Sequence, residues 1–245
     1  TQNGPDIVLG GTAGDIITTG TDESGDVSRD IVLGDNGKAS FDSQGRIDSI
    51  ESTDTEIGGR DQITTGGGPD IVLAGTDQDT VLTESGDDIV LGDSGQANFN
   101  SDLDADSSEA QIGILRTINT ITPGVGDNDL ITTDEGADIV LGGAASDTIH
   151  AYLGDEADRD IVMGDNGTVT FEVDGSIQSI ATTDPAIGDS DTIHTQNGPD
   201  IVLGGTAGDI ITTGTDQSAD VARDIVLGDS GSATFDSDAR LDAIE

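Results

Sequence analysis

Apolar residues recur along this chain at a fixed distance, always two places after an aspartate. The run from Asp61 reads Asp61-Gln62-Ile63, Asp70-Ile71-Val72, Asp79-Thr80-Val81 and Asp88-Ile89-Val90, with nine residues from each Asp to the next. The same step joins Asp129, Asp138 and Asp147, then Asp191, Asp200 and Asp209, and also Asp6 and Asp15. Nine is no helical period, and the glycines between the triplets would break a helix. One inward side chain followed by a Gly-containing turn suits a very short strand. Two such rungs on opposite sides complete one coil, and stacked coils align Ile and Val as a thin core. The pattern predicts an all-β parallel β-roll, a solenoid of nine-residue rungs.

The rungs come in sets of about four, and in three of the sets a short insertion delays the fourth. The step is 15 from Asp15 to Asp30, 13 from Asp147 to Asp160 and 15 from Asp209 to Asp224. After the fourth rung come Gly-Asp-Asn/Ser-Gly, a phenylalanine (Phe41, Phe99, Phe171 or Phe235) and an apolar pair such as Ile47 and Ile50 or Ile177 and Ile180. The segment from Thr168 to Ile180 alternates apolar and polar around Asp174-Gly175, which predicts a β-hairpin. The chain therefore divides into tandem units at 1–57, 58–125, 126–188 and 189–245, each ending in a hairpin. Residues 195–245 repeat 1–51 with 41 identities in 51 positions. Such near-identity points to recent duplication within a long array, of which this chain reads as an excerpt.

The two faces of the predicted roll differ. Rungs starting at Asp6, Asp30, Asp70, Asp88, Asp138, Asp160, Asp200 and Asp224 carry Ile directly after the Asp and Leu or Met two places later, all pointing outward. The other rungs show Gln62 and Thr64, Thr148 and His150, or Thr192 and His194. An apolar outer face needs a cover. The Phe-bearing hairpin of the same unit is the expected cover, with a neighbouring chain as the rival.

Charge adds the chemistry. Fifty Asp and Glu face eight Lys and Arg, a formal net charge of −42, while aromatics make up 2% of the chain. So acidic and core-poor a chain stays disordered unless cations neutralise it. Stacking the coils brings Asp61 and Asp79 to about one strand spacing, ~4.8 Å, where like charges repel unless a cation lies between them. Carboxylate and turn carbonyl oxygens are hard ligands that select calcium over softer metals. With no cysteine there is neither a disulfide framework nor a thiolate site. The sign of the charge excludes nucleic acid as a partner, and no apolar run is long enough to insert into a membrane as a helix.

These residues resemble the hemolysin-type calcium-binding repeat of RTX proteins, with its consensus Gly-Gly-x-Gly-x-Asp-x-apolar-x. The resemblance covers the rung stretches in all parts of the chain. It implies a right-handed roll with several Ca2+ ions in the turns, and secretion to the cell surface or beyond. The expected calcium ligands are Asp6, Asp15, Asp30, Asp61, Asp70, Asp79, Asp88, Asp129, Asp138, Asp147, Asp160, Asp191, Asp200, Asp209 and Asp224. Asp35, Asp93, Asp165 and Asp229 either close the last site of each unit or simply form the turn before the hairpin. The glycines are degenerate before Asp79 (Ala74-Gly75-Thr76-Asp77-Gln78) and before Asp147 (Gly142-Gly143-Ala144-Ala145-Ser146), which implies weaker sites there.

Other candidates read as surface chemistry. Asp102, Asp104, Asp106 and Glu109 fall short of an EF-type loop and read as a solvated acidic insertion. Arg29, Arg60, Arg159 and Arg223 precede rung Asp residues and offset local charge. His150 and His194, 44 residues apart, are expected at the surface with no shared zinc site. Thr18, Thr64, Thr132 and Thr212 suggest an ice-binding face, but Leu82 and the two histidines interrupt it. No catalytic motif appears. The expected role is a non-enzymatic, calcium-dependent spacer or filament-forming array of an adhesin, surface layer or fibre, whose partners are further copies of the same repeats. The alternatives are a ligand-binding roll for ice or polysaccharide, or the repeat tail of a secreted hydrolase or toxin.

Overall fold

Each Asp-x-apolar triplet folds as predicted into a short strand, its middle side chain turned between the two parallel sheets. In a computed structural model, which describes residues 4–20, 25, 27–100, 113–151, 158–214, 222–236 and 240–245, every regular element is a β-strand. Rungs alternate between two parallel sheets. The first sheet has eight strands, among them Ile71–Leu73, Ile89–Leu91, Ile139–Gly143, Ile161–Asp165 and Ile201–Leu203. The second has seven, among them Gln62–Thr64, Thr80–Leu82, Leu130–Thr133, Thr148–Ala151 and Thr192–Thr195. Registers are in phase throughout: Val72 lies beside Val90, Val90 beside Val140, and Val140 beside Val162. Both sheets run through all four repeats, so the stack is continuous.

Two apolar layers result. Between the parallel sheets, Val32, Val72, Val90, Val140, Val162 and Val202 meet Ile63, Val81, Ile131, Ile149 and Ile193. This core is one residue deep, as a single inward side chain per rung dictates. The second layer lies on the outer face of the first sheet, where Leu33, Ile71, Leu73, Leu91, Leu141, Ile161, Met163 and Leu203 pack against hairpin residues including Ile50, Phe99, Ile118, Val169, Phe171 and Ile180. Burying a side chain of this size contributes roughly 1.5–3 kcal/mol, so the second layer matters as much as the first.

The hairpins do more than cover their own units. Each pairs within itself, as Gly167–Phe171 does with Ile177–Thr182. Each also pairs with its neighbours through Gln96↔Glu51, Thr117↔Thr170 and Ser179↔Thr234, giving one antiparallel sheet of eight strands across the whole face. A bulge precedes each Phe, and it pairs Phe41 with Ile47 and Phe171 with Ile177. Residues three apart on a regular strand face opposite ways. The bulge lets both members of pairs such as Ile47 and Ile50 join the buried layer. Gly37 and Gly95 allow the close crossing, since a Cβ there would stand 1.9 Å and 2.0 Å from Leu33 Cδ2 and Leu91 Cδ2. Among the described residues the second sheet's outer face has no such cover, and Ile16 and Ile210 are 81% and 62% exposed.

Candidate functional site: two columns of buried carboxylates

Stacking in phase sets the rung aspartates in two columns, one where the chain enters each sheet. The first contains Asp6, Asp30, Asp70, Asp88, Asp138, Asp160, Asp200 and Asp224; the second contains Asp15, Asp61, Asp79, Asp129, Asp147, Asp191 and Asp209. Within each column, one carboxylate oxygen accepts the backbone N–H of the Asp on an adjacent coil. Asp61 N donates to Asp79 Oδ1 at 2.7 Å, Asp79 N to Asp129 Oδ1 at 2.7 Å and Asp129 N to Asp147 Oδ1 at 2.8 Å. In the first column Asp70 N donates to Asp88 Oδ1 at 2.8 Å, and Asp88 N to Asp138 Oδ1 at 2.8 Å. Every expected ligand in the two columns joins these ladders, and their central members are fully buried.

What surrounds the other oxygen separates the columns. In the second, Oδ2 of Asp61, Asp79, Asp129, Asp147, Asp191 and Asp209 is buried with no hydrogen-bond donor, and Oδ2 of Asp88 and Asp138 in the first is in the same position. Among the described residues no Lys or Arg forms an ion pair with these aspartates; the ion pairs seen are Lys38–Glu51 and Arg46–Asp42. Each such oxygen, except that of Asp79, converges with a turn carbonyl on the space beside a glycine. A Cβ on Gly164 would lie 2.1 Å from Asp191 Oδ2 and 2.4 Å from Gly204 O; on Gly142 it would lie 2.4 Å from Asp147 Oδ2 and 2.1 Å from Gly164 O. Gly34, Gly92 and Gly204 stand in the same relation to Asp61, Asp129 and Asp209. At Asp79 the glycine's place is taken by buried Ala74. In the first column the corresponding residues include Thr65, Thr83, Thr133 and Thr195. The Thr83 and Thr133 hydroxyls lie near the carboxyls of Asp88 and Asp138 and work to lower their pKa values, although neither hydroxyl completes a hydrogen bond.

Burial dominates the electrostatics of both columns. It raises the Asp61 carboxyl to about 6, Asp79 to about 8 and Asp191 to about 9, with neighbouring carboxylates adding to each. Burial likewise raises Asp88 to about 9 and Asp138 to about 7. Asp129 and Asp147, which face one another, are both raised, again chiefly by burial. Without a cation the columns must hold protons or repel.

Asp35, Asp93 and Asp165 do more than make a turn. Asp35 Oδ1 accepts Gly59 N at 3.0 Å and its Oδ2 accepts Thr76 N at 2.6 Å, tying the strand that returns from the hairpin to the next coil. Asp93 accepts Ala144 N at 2.5 Å, and Asp165 accepts Asp189 N and Thr206 N. Each also lies near the second column: the charge of Asp35 raises Asp61 and Asp79, that of Asp93 raises Asp129, and that of Asp165 raises Asp191. Asp229, the fourth of the set, is exposed. Among the described residues no three acidic or histidine side chains surround one point, so a cation in the second column would need carbonyl oxygens as well as carboxylate.

The remaining sequence candidates fall as follows. Arg29 Nε donates to Pro69 O at 3.1 Å, which places it on a turn carbonyl. Asp102, Asp104, Asp106 and Glu109 lie outside the described residues. The threonine column is interrupted as expected, running Thr18, Thr64, Leu82, Thr132, His150, His194, Thr212 across the second sheet. The expectation that the two histidines lie apart is corrected: His150 pairs directly with His194, ring centroids 5.3 Å apart. The hairpin takes up the intervening sequence, so 44 residues collapse to one strand step. The contrast of Thr with Gly or Ala after the strands was readable in the sequence; the Oδ1 ladder and the Asp35-type ties were not. No protein-family model, curated protein or solved structure matches the chain.

Proposed function

We propose that this chain is a calcium-dependent structural repeat segment of a large extracellular protein, a stiff non-enzymatic spacer or filament-forming array whose partners are further copies of itself. The observation that carries the reading is the second column's buried Oδ2 row, which has no donor and points at turn carbonyls beside glycine. A hard divalent cation accepts both kinds of oxygen, and carbonyls keep a lone pair after one hydrogen bond. Asp61, Asp129, Asp147, Asp191 and Asp209 are the best-placed ligands, with Gly164, Gly204 and their counterparts supplying carbonyls. Asp79, beside Ala74, and the threonine-lined first column are weaker candidates. Calcium at these positions neutralises carboxylates that otherwise oppose stacking, so the ion acts as the staple that the cysteine-free chain lacks.

The energetics are adequate. A site of ~0.1 mM affinity in ~1 mM calcium contributes about 1.4 kcal/mol. Several together approach the ~5–15 kcal/mol that holds an ordinary domain folded. Extracellular calcium is of that order, which supports a secreted or cell-surface location. A continuous roll with three sheets in phase suits a rod. Small-angle scattering of chains with increasing numbers of repeats tests this: in calcium the maximum dimension should rise linearly with repeat number, and in chelator the chains should scatter as expanded coils. A globule whose dimensions do not lengthen along one axis would overturn the reading.

A further inference from the structure

We infer that His150 and His194 form a two-imidazole site for a borderline divalent transition ion of the Zn2+, Cu2+ or Ni2+ class, separate from the carboxylate columns. These are the only histidines in the chain, and the parallel register of Thr148–Ala151 with Thr192–Thr195 makes them half-buried lateral neighbours on the outer face of the second sheet. Their ring centroids are 5.3 Å apart with planes at 81°. Two imidazoles that each place a nitrogen ~2.0–2.1 Å from one tetrahedral ion have centroids about 5 Å apart. The edge-on arrangement therefore already has the spacing of a shared ligand pair.

The surroundings define what such a site would take. Burial, and then the neighbouring His194, hold His150 below the usual histidine pKa, which keeps the ring in its ligating neutral form. Along the column the pair is bounded by Thr132 and Thr212, which are uncharged. Among the described residues no acidic side chain joins it to make a third ligand, so water fills the remaining positions. Imidazole nitrogen prefers Zn2+, Cu2+ and Ni2+ over Ca2+, and a chain of net charge −42 concentrates divalent cations around itself. The site would load in the presence of calcium without competing for it.

The test is a titration of the full chain with zinc chloride in millimolar calcium, followed by calorimetry and by the imidazole ring-proton resonances. The expected result is one zinc per chain at micromolar order, with both histidine resonances shifting together. His150→Gln and His194→Gln should each weaken this binding by more than an order of magnitude while leaving the far-ultraviolet circular dichroism in calcium unchanged. Zinc binding that is equal in the His150→Gln/His194→Gln double variant, or zinc that shifts neither imidazole, would overturn the inference. These outcomes are independent of calcium's role in folding, which the dichroism reads separately.

Discussion

The two aspartate columns have the same backbone ladder and almost the same burial, yet they solve the problem of buried charge differently. In the first, threonines such as Thr83 and Thr133 bring a hydroxyl to the carboxyl. In the second, glycines such as Gly142 and Gly164 leave Oδ2 facing a turn carbonyl. The raised pKa values do not separate the columns, because burial dominates in both. The neighbour does. A hydroxyl can donate to a carboxylate, whereas a carbonyl can only repel it unless a cation or proton comes between them. One residue per coil thus decides whether the buried Oδ2 has a hydroxyl or a carbonyl for its neighbour, and only the second arrangement forms a row of candidate cation sites.

The largest expected effect is removal of calcium, which should break the second column and the fold with it. With chelator at neutral pH, circular dichroism should report coil, and millimolar calcium but not sodium of equal ionic strength should restore β signal. Unchanged β signal in chelator would remove the distinction between the columns. The next is pH without calcium. Carboxyls raised from the ordinary 3.8 to about 6 at Asp61, about 8 at Asp79 and about 9 at Asp191 hold more protons folded than unfolded. Stability is then fully present below the unfolded value and is lost as pH rises through 6 to 9. Acidifying the chelated chain from above that window towards the unfolded value should recover β signal, and saturating calcium should flatten the dependence.

A third test separates cover from column. Phe171→Ala removes a buried anchor of the hairpin sheet and should cost about 3–5 kcal/mol, with increased binding of an apolar dye. The number of bound calcium ions in the folded state should not change, because Phe171 belongs to the layer outside the first sheet. Comparing Asp147→Asn with Asp138→Asn is subtler. Both variants keep the oxygen that accepts the preceding Asp N–H at 2.8 Å. Equilibrium dialysis should show Asp147→Asn losing one calcium and Asp138→Asn losing none; equal losses would show that the columns are equivalent. The smallest effect is expected from Ala74→Gly. It should cost roughly 0.5–1 kcal/mol of backbone entropy while tightening calcium at Asp79, measurable as a lower midpoint in a calcium titration.

Much of this was legible because the rung is a local object. Nine residues hold one strand and one turn, so Asp61, Asp70, Asp79 and Asp88 alone imply the alternation between two sheets. The Ile and Leu positions beside Val72 and Val90 imply a second apolar layer, and Phe171 with Ile177 and Ile180 names its cover. Less legible was the spacing of Ile177 and Ile180, which looks wrong for a strand until the bulge before Phe171 is known. The role of Asp35 was also hidden, since the N–H groups of Gly59 and Thr76 that it accepts lie 24 and 41 residues onward.

The sequence by itself determined the rungs, their order and the sides on which apolar residues fall, because strand periodicity and turn chemistry act within a few residues. The tertiary structure alone decided who stands beside whom. Adjacent members of the aspartate ladders are 18 residues apart at Asp61 and Asp79, 50 at Asp79 and Asp129, and 44 at Asp147 and Asp191. Insertions and hairpins loop out while the hydrogen-bonded step between coils stays constant. For that reason the fusion of four hairpins into one sheet and the meeting of His150 with His194 are properties of stacking, which fixes distance in space regardless of distance along the chain.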